Sequence, residues 1–95
     1  MNIRRDTVPT VYEISLRQEV LLEKAAGVIG DMMRYFSRHN VDIRDLANPL
    51  VQQIVLLHEV KEDILTASSI EELDRLEEKI DFAEAFFQSS CDDHD

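Results

Sequence analysis

The chain has 95 residues and a mass of 11.0 kDa, room for one domain, and its 44% hydrophobic and 32% charged residues are neither a disordered nor a fibrous composition. Two Gly, two Pro and no Trp are poor material for a many-stranded β fold; the single Cys91 excludes an internal disulfide framework; and no apolar run exceeds Ile54–Leu57, far short of the ~20 residues that cross a bilayer. The net charge is −10, and all of that excess lies in residues 59–95, which hold 13 acids against three bases and so repel phosphate backbones and anionic lipid.

Residues 1–9 lead into no apolar h-region, so they read as an N-terminal arm and not as a secretory signal. With one cysteine, a reducing cytoplasm is the expected location. A single helical domain is expected over 10–88, with helices at about 10–39, 49–66 and 69–88.

Thr10 with Glu13 writes a capping box for the first helix, and Ser15 with Gln18 writes a later one. Two apolar columns follow in 4-3-4-3 steps, Leu21, Ala25, Val28, Met32, Tyr35 and Leu22, Ala26, Ile29, Met33, Phe36. Together they predict an apolar stripe about 100° wide or more. Gly27 and Gly30 lie off both columns, either allowing close approach by another helix or marking a break capped by Asp31. Because the columns stay in phase across them, one long helix is expected, ending near His39-Asn40.

Tyr12-Glu13-Ile14-Ser15-Leu16-Arg17 alternates apolar and polar, the period of a strand. A lone strand needs a partner, so this alternative requires a two-stranded ribbon in a symmetric dimer. The stretch, followed by Glu19-Val20-Leu21-Leu22, resembles the start of a ribbon–helix–helix DNA-binding protein. That resemblance implies a dimeric nucleic-acid binder, although Gly30-Asp31-Met32-Met33 lacks the family's hydroxyl cap. Val28-Ile29-Gly30 and Asp63-Ile64-Leu65 are similar to stretches of a family of small helical dimeric biofilm regulators, and no function is carried from them.

Between Asn40 and Asn48 one extra turn capped by Asp42 is expected. Asn48-Pro49 then starts the second helix, with Asn as N-cap and Pro at the first helical position. Leu50, Val51, Ile54, Val55, Leu56, Leu57, Val60, Ile64 and Leu65 cover more than half its circumference. Such a helix is expected at the centre, contacted from several sides.

Ser68 with Glu71 and Ser69 with Glu72 offer two capping boxes for the third helix. Its apolar seam is Leu73, Leu76, Ile80, Ala83 and Phe87. Beside the seam, Glu71, Asp74, Glu77, Glu78, Asp81 and Glu84 form an acidic face. Phe82 and Phe86 fall on neither; they project on the side of Arg75 and Lys79. Residues 89–95 read as a disordered acidic tail.

The predicted architecture is all-α, a three-helix bundle completed by homodimerisation. Leu21, Leu22, Ala25, Val28, Ile29, Met32, Met33 and Phe36 are its core stripe or its dimer stripe. Chemistry is sparse. His58-Glu59-Val60-Lys61-Glu62 has Glu where a zincin helix needs its second His, and no Glu stands three residues before any histidine. Cys91-Asp92-Asp93-His94-Asp95 has ligand atom types without a rigid element to hold them. No phosphate loop, nucleophile elbow or CxxC is present, so neither enzyme, cofactor nor metal is expected.

A non-enzymatic regulator, adaptor or inhibitor that binds a protein through a helix face is therefore the leading expectation. Its contact residues would be Phe82, Phe86, Arg75 and Lys79, since aromatics and Arg dominate interface hot spots. The first alternative is an inhibitor whose acidic face imitates nucleic acid and occupies a basic groove. The second is the ribbon–helix–helix-like nucleic-acid binder, using Arg4, Arg5, Arg17, Arg34 and Arg38.

Overall fold

The computed structural model describes residues 10–92, which form three α-helices: α1 (Val11–His39), α2 (Pro49–Thr66) and α3 (Ile70–Asp92). The protein is all-α, as the apolar periods predict, with no strand among the described residues.

Local chemistry sets most of the helix ends. Thr10 Oγ1 accepts from the Glu13 N–H at 3.1 Å, while the Thr10 N–H donates to Glu13 Oε1 at 2.8 Å. Two otherwise orphaned donors are thereby satisfied, and α1 starts at the first of its two possible boxes. The ribbon alternative for Tyr12–Arg17 fails, because the cap and the apolar columns behind it carry that stretch into α1. No break occurs at Gly27–Asp31 either. Each glycine costs about 0.5–1 kcal/mol in a helix interior, and Val28, Met32 and Phe36 on the buried side hold the helix through them. A Cβ at Gly27 would meet no atom within 4 Å, and one at Gly30 only the Arg34 guanidinium at 3.7 Å. No helix of the bundle therefore uses the space beside them.

Asn40 ends α1 in the left-handed conformation (φ 55°, ψ 40°), and the N–H groups of Asn40 and Val41 both turn back to the Phe36 carbonyl. The expected turn capped by Asp42 is present, without becoming a helix: the Asp45 N–H donates to the Asp42 carbonyl at 3.0 Å and Asp42 Oδ1 accepts from the Arg44 N–H at 2.9 Å, while Asp45 Oδ1 accepts from the Ala47 N–H at 3.2 Å and closes a second turn.

Asn48 Oδ1 accepts from the Leu50 N–H at 2.9 Å and starts α2 with Pro49 in its first turn. For α3 the Ser69 hydroxyl accepts from the Glu72 N–H, and the Glu72 carboxylate reaches back to the Ser68 N–H at 2.9 Å. That last bond holds the Glu72 carboxyl below its usual range. The pair Ser68 and Glu71 is not the one used. At its far end α3 runs to Asp92, four residues past the expected end at 88, so the expected tail is helical as far as 92. Phe87, packed edge-on against Tyr35 with ring centroids 5.6 Å apart, ties this end to α1. Residues 1–9 and 93–95, which include the expected arm, Arg4, Arg5 and the last three residues of the acidic tail, lie outside the described residues.

The three helices pack each against the other two around one apolar core. From α1 come Leu21, Ala25, Val28, Met32 and Phe36; from α2, Val51, Ile54, Leu57, Val60 and Ile64; from α3, Leu73, Leu76, Ile80 and Ala83. No polar side chain among the described residues is buried with them. α2 is not central. Its wide apolar arc buries only the side facing α1 and α3, and leaves Val55 and Leu65 exposed. Most of the α1 stripe is core within one chain, with Leu22 and Ile29 half-buried at its margins and Met33 turned outward. A second copy is not needed to cover it.

Candidate functional site

Sequence spacing put the acidic face of α3 in solvent, but half of it is turned onto α1. Arg17 Nη2 lies 2.8 Å from Asp74 Oδ1 and 2.6 Å from Glu77 Oε1. One helical level on, Lys24 Nζ lies 2.9 Å from Glu77 Oε2 and 2.7 Å from Asp81 Oδ1. Glu77 thus bridges both cations, one oxygen to each. The hydrogen bonds from Lys24 and then Arg17 hold its carboxyl below the usual carboxylate range. Lys24 is held above the usual ammonium value by Asp81 and Glu77. Among the described residues, Glu71, Glu78 and Glu84 are the members of the face with no ion-pair partner.

A third polar contact fixes the same stretch of α1. The Gln18 side-chain amide donates to the carbonyls of Ile64 and Ala67 at 2.8 and 3.3 Å, tying α1 to the end of α2, where the Ile64 carbonyl also accepts from the Ala67 N–H.

The opposite side of these turns is apolar and bare. Tyr12, Leu16 and Val20 follow one another at i, i+4, i+8 and are 71%, 44% and 57% exposed. Exposed Glu13, Glu19 and Glu23 share this stretch. Three large apolar residues on successive turns form a strip that the bundle itself does not cover. Sequence reasoning missed this row. Its signal, the i+4 spacing of Tyr12, Leu16 and Val20, was hidden inside the strand-like alternation of residues 12–17.

The residues expected to bind a partner on α3 are placed together. The rings of Phe82 and Phe86 stack with centroids 6.4 Å apart and planes at 30°. Phe82 is exposed and Phe86 half-buried. Lys79 and Arg75, one and two turns before Phe82, are both exposed.

The interleaved bases and aromatics of 34–39 do not assemble a stacking platform. Phe36 is core, Tyr35 packs on Phe36 and Phe87, and His39 stacks on Tyr35 at 4.2 Å. Arg34 pairs with Asp31, and Arg17 is committed to α3. Of the five arginines expected to bind nucleic acid, Arg38 alone among the described residues stands without an acidic partner. No group of three metal-capable side chains occurs among the described residues, and no helix there is long and apolar enough to cross a membrane.

Comparison with known proteins gives one result. A family model described as bacterial epsilon antitoxin matches residues 10–90, which take in α1, α2 and α3 to within two residues of its end. Neither the curated proteins nor the solved structures give a match.

Proposed function

The chain belongs to the bacterial epsilon antitoxin family, and from that premise we propose that it is a non-enzymatic antitoxin that inhibits a zeta toxin by laying the outward row of α1 on it. Family membership supports a protein-binding inhibitor. The docking face is inferred from the surface.

The observation that carries it is the row of exposed Tyr12, Leu16 and Val20 at i, i+4 and i+8 on a helix whose inward flank is fixed by four ion pairs. Fully burying a side chain of this size contributes about 1.5–3 kcal/mol, and a tyrosine buried in a partner's pocket is a usual anchor. The neighbouring Glu13, Glu19 and Glu23 suit a toxin surface that is apolar in the middle and basic at the edge.

The test is calorimetric titration of the toxin with the Leu16→Glu, Val20→Glu double variant. Both positions are exposed, so the melting temperature should stay within about 3 °C of the parent, the small effect usual for surface changes. Affinity should fall at least about 100-fold, or 2.7 kcal/mol. An affinity within about twofold of the parent refutes the α1 face. The nucleic-acid-mimic reading keeps Glu71, Glu78 and Glu84 as its open carboxylates, because Asp74, Glu77 and Asp81 face α1. Toxin binding that collapses with added salt while tolerating the α1 variant would favour it.

A further inference from the structure

We propose that α3 carries a second docking seam, separate from the α1 row, which accepts an amphipathic helix of another protein with acidic residues flanking its apolar face. The seam is Arg75, Lys79, Phe82 and Phe86. Its 4-3-4 spacing is the repeat that keeps residues on one side of a helix, and this side lies away from the core seam of Leu73, Leu76, Ile80 and Ala83. The bundle uses the core seam and the ion-paired acidic side of α3 and leaves this face open.

Two features of the unused face point to its occupant. Its aromatic end is open: Phe82 is 61% exposed, although Phe86 stacks against it. Its other end is cationic in a protein of net charge −10, and neither Arg75 nor Lys79 has an ion-pair partner among the described residues. Glu71 and Glu78 are near in sequence yet do not close on them, whereas the carboxylates on the α1 side of the same helix are drawn into pairs with Arg17 and Lys24. Beside the cations lies a cleft of about 250 Å³, lined by both of them together with Leu76, Asp63, Thr66 and Glu72. The Glu72 carboxylate is turned away to Ser68 and Ser69.

A helix with apolar residues over Phe82 and Phe86, and carboxylates one and two turns along over Lys79 and Arg75, satisfies both ends at once. Two copies of this seam do not satisfy each other. Antiparallel two-fold pairing that sets Phe82 on Phe86 puts Lys79 opposite Ser89, and parallel pairing puts Arg75 on Arg75.

The probe is a pair of labelled synthetic helical peptides with leucines at the same 4-3-4 spacing, one flanked by glutamates and one by lysines. Binding to the full chain is read by fluorescence anisotropy. The glutamate peptide should bind at least about tenfold tighter, and about 1 M salt should narrow the gap. Arg75→Glu with Lys79→Glu should reverse the preference, an outcome that loss of fold cannot produce. Phe82→Ala should weaken both peptides at least about fivefold. Equal binding of the two peptides, or none at about 1 mM, overturns the proposal. So does sedimentation velocity showing that Phe82 mediates self-association.

Discussion

Replacing Glu77 with Gln tests whether the α1–α3 clamp is an energetic feature of the bundle. The substitution keeps the shape of the side chain and removes the charge that holds Arg17 and Lys24 at 2.6 and 2.9 Å. All three side chains are about one-third exposed, so solvent screens the pairs and each is worth near the exposed range of about 0.2–1 kcal/mol. Two pairs share this carboxylate, which puts the expected loss at about 1–1.5 kcal/mol, or a fall in melting temperature of about 4–10 °C for a domain this small. pH supplies a second readout. The folded Glu77 carboxyl titrates below its ordinary value of 4.5, so its contribution is fully present above that pH. It is then lost as pH falls through the lower, folded value. The parent should therefore lose stability relative to Glu77→Gln only on the acid side of about 4.5, and the two should converge there. Thermal melts by circular dichroism between about pH 7 and 3, at low and at about 1 M salt, measure both effects. Melting temperatures within about 1 °C at neutral pH and low salt, with parallel acid limbs, would refute the clamp as a source of stability.

Two further substitutions probe α1 itself. Thr10→Ala removes one bond of the capping box and should cost about 0.5–2 kcal/mol, with faster amide exchange confined to the first turn; unchanged exchange there would count against the cap. Gly27→Ala places a methyl where nothing lies within 4 Å and should raise stability by about 0.5–1 kcal/mol in a urea melt, while destabilisation would mean that this face is covered.

Features written in adjacent residues were legible in the sequence. Thr10 with Glu13, Asn40, and Asn48-Pro49 act within one turn, so residue type is enough to place them. The core seam of α3 is likewise a period on one helix. What could not be read depends on contact between helices. Asp74, Glu77 and Asp81 look like a solvated face until α1 lies beside them, because a charge pattern does not name a partner 53 to 60 residues away. The end of α3 at Asp92 was missed for the same reason: Ser89 and Ser90 are weak helix formers, and the anchor is Phe87 against Tyr35. α2 shows the reverse error. A wide apolar arc states how much surface avoids water but not how many neighbours exist to cover it, and with two neighbours Val55 and Leu65 stay outside.

The two sides of α1 bear on function together. A helical segment of three turns is marginal alone in water, since nucleation is costly and few hydrogen bonds follow it. Residues 11–20 nonetheless sit almost wholly outside the buried core, which begins at Leu21. They stay helical through the Thr10 box at one end and through Arg17 and Gln18 along the inner side. Tyr12, Leu16 and Val20 are therefore presented in fixed register on the outer side, and a toxin docking there has little helix ordering left to oppose binding. If so, breaking the clamp should weaken toxin affinity although Glu77 lies on another helix and faces inward. Glu77→Gln should loosen binding by several-fold, and cooling, which restores helicity to a short segment, should recover part of the loss. Toxin affinity indifferent to Glu77→Gln would mean that the row orders itself on the toxin surface, without help from α3.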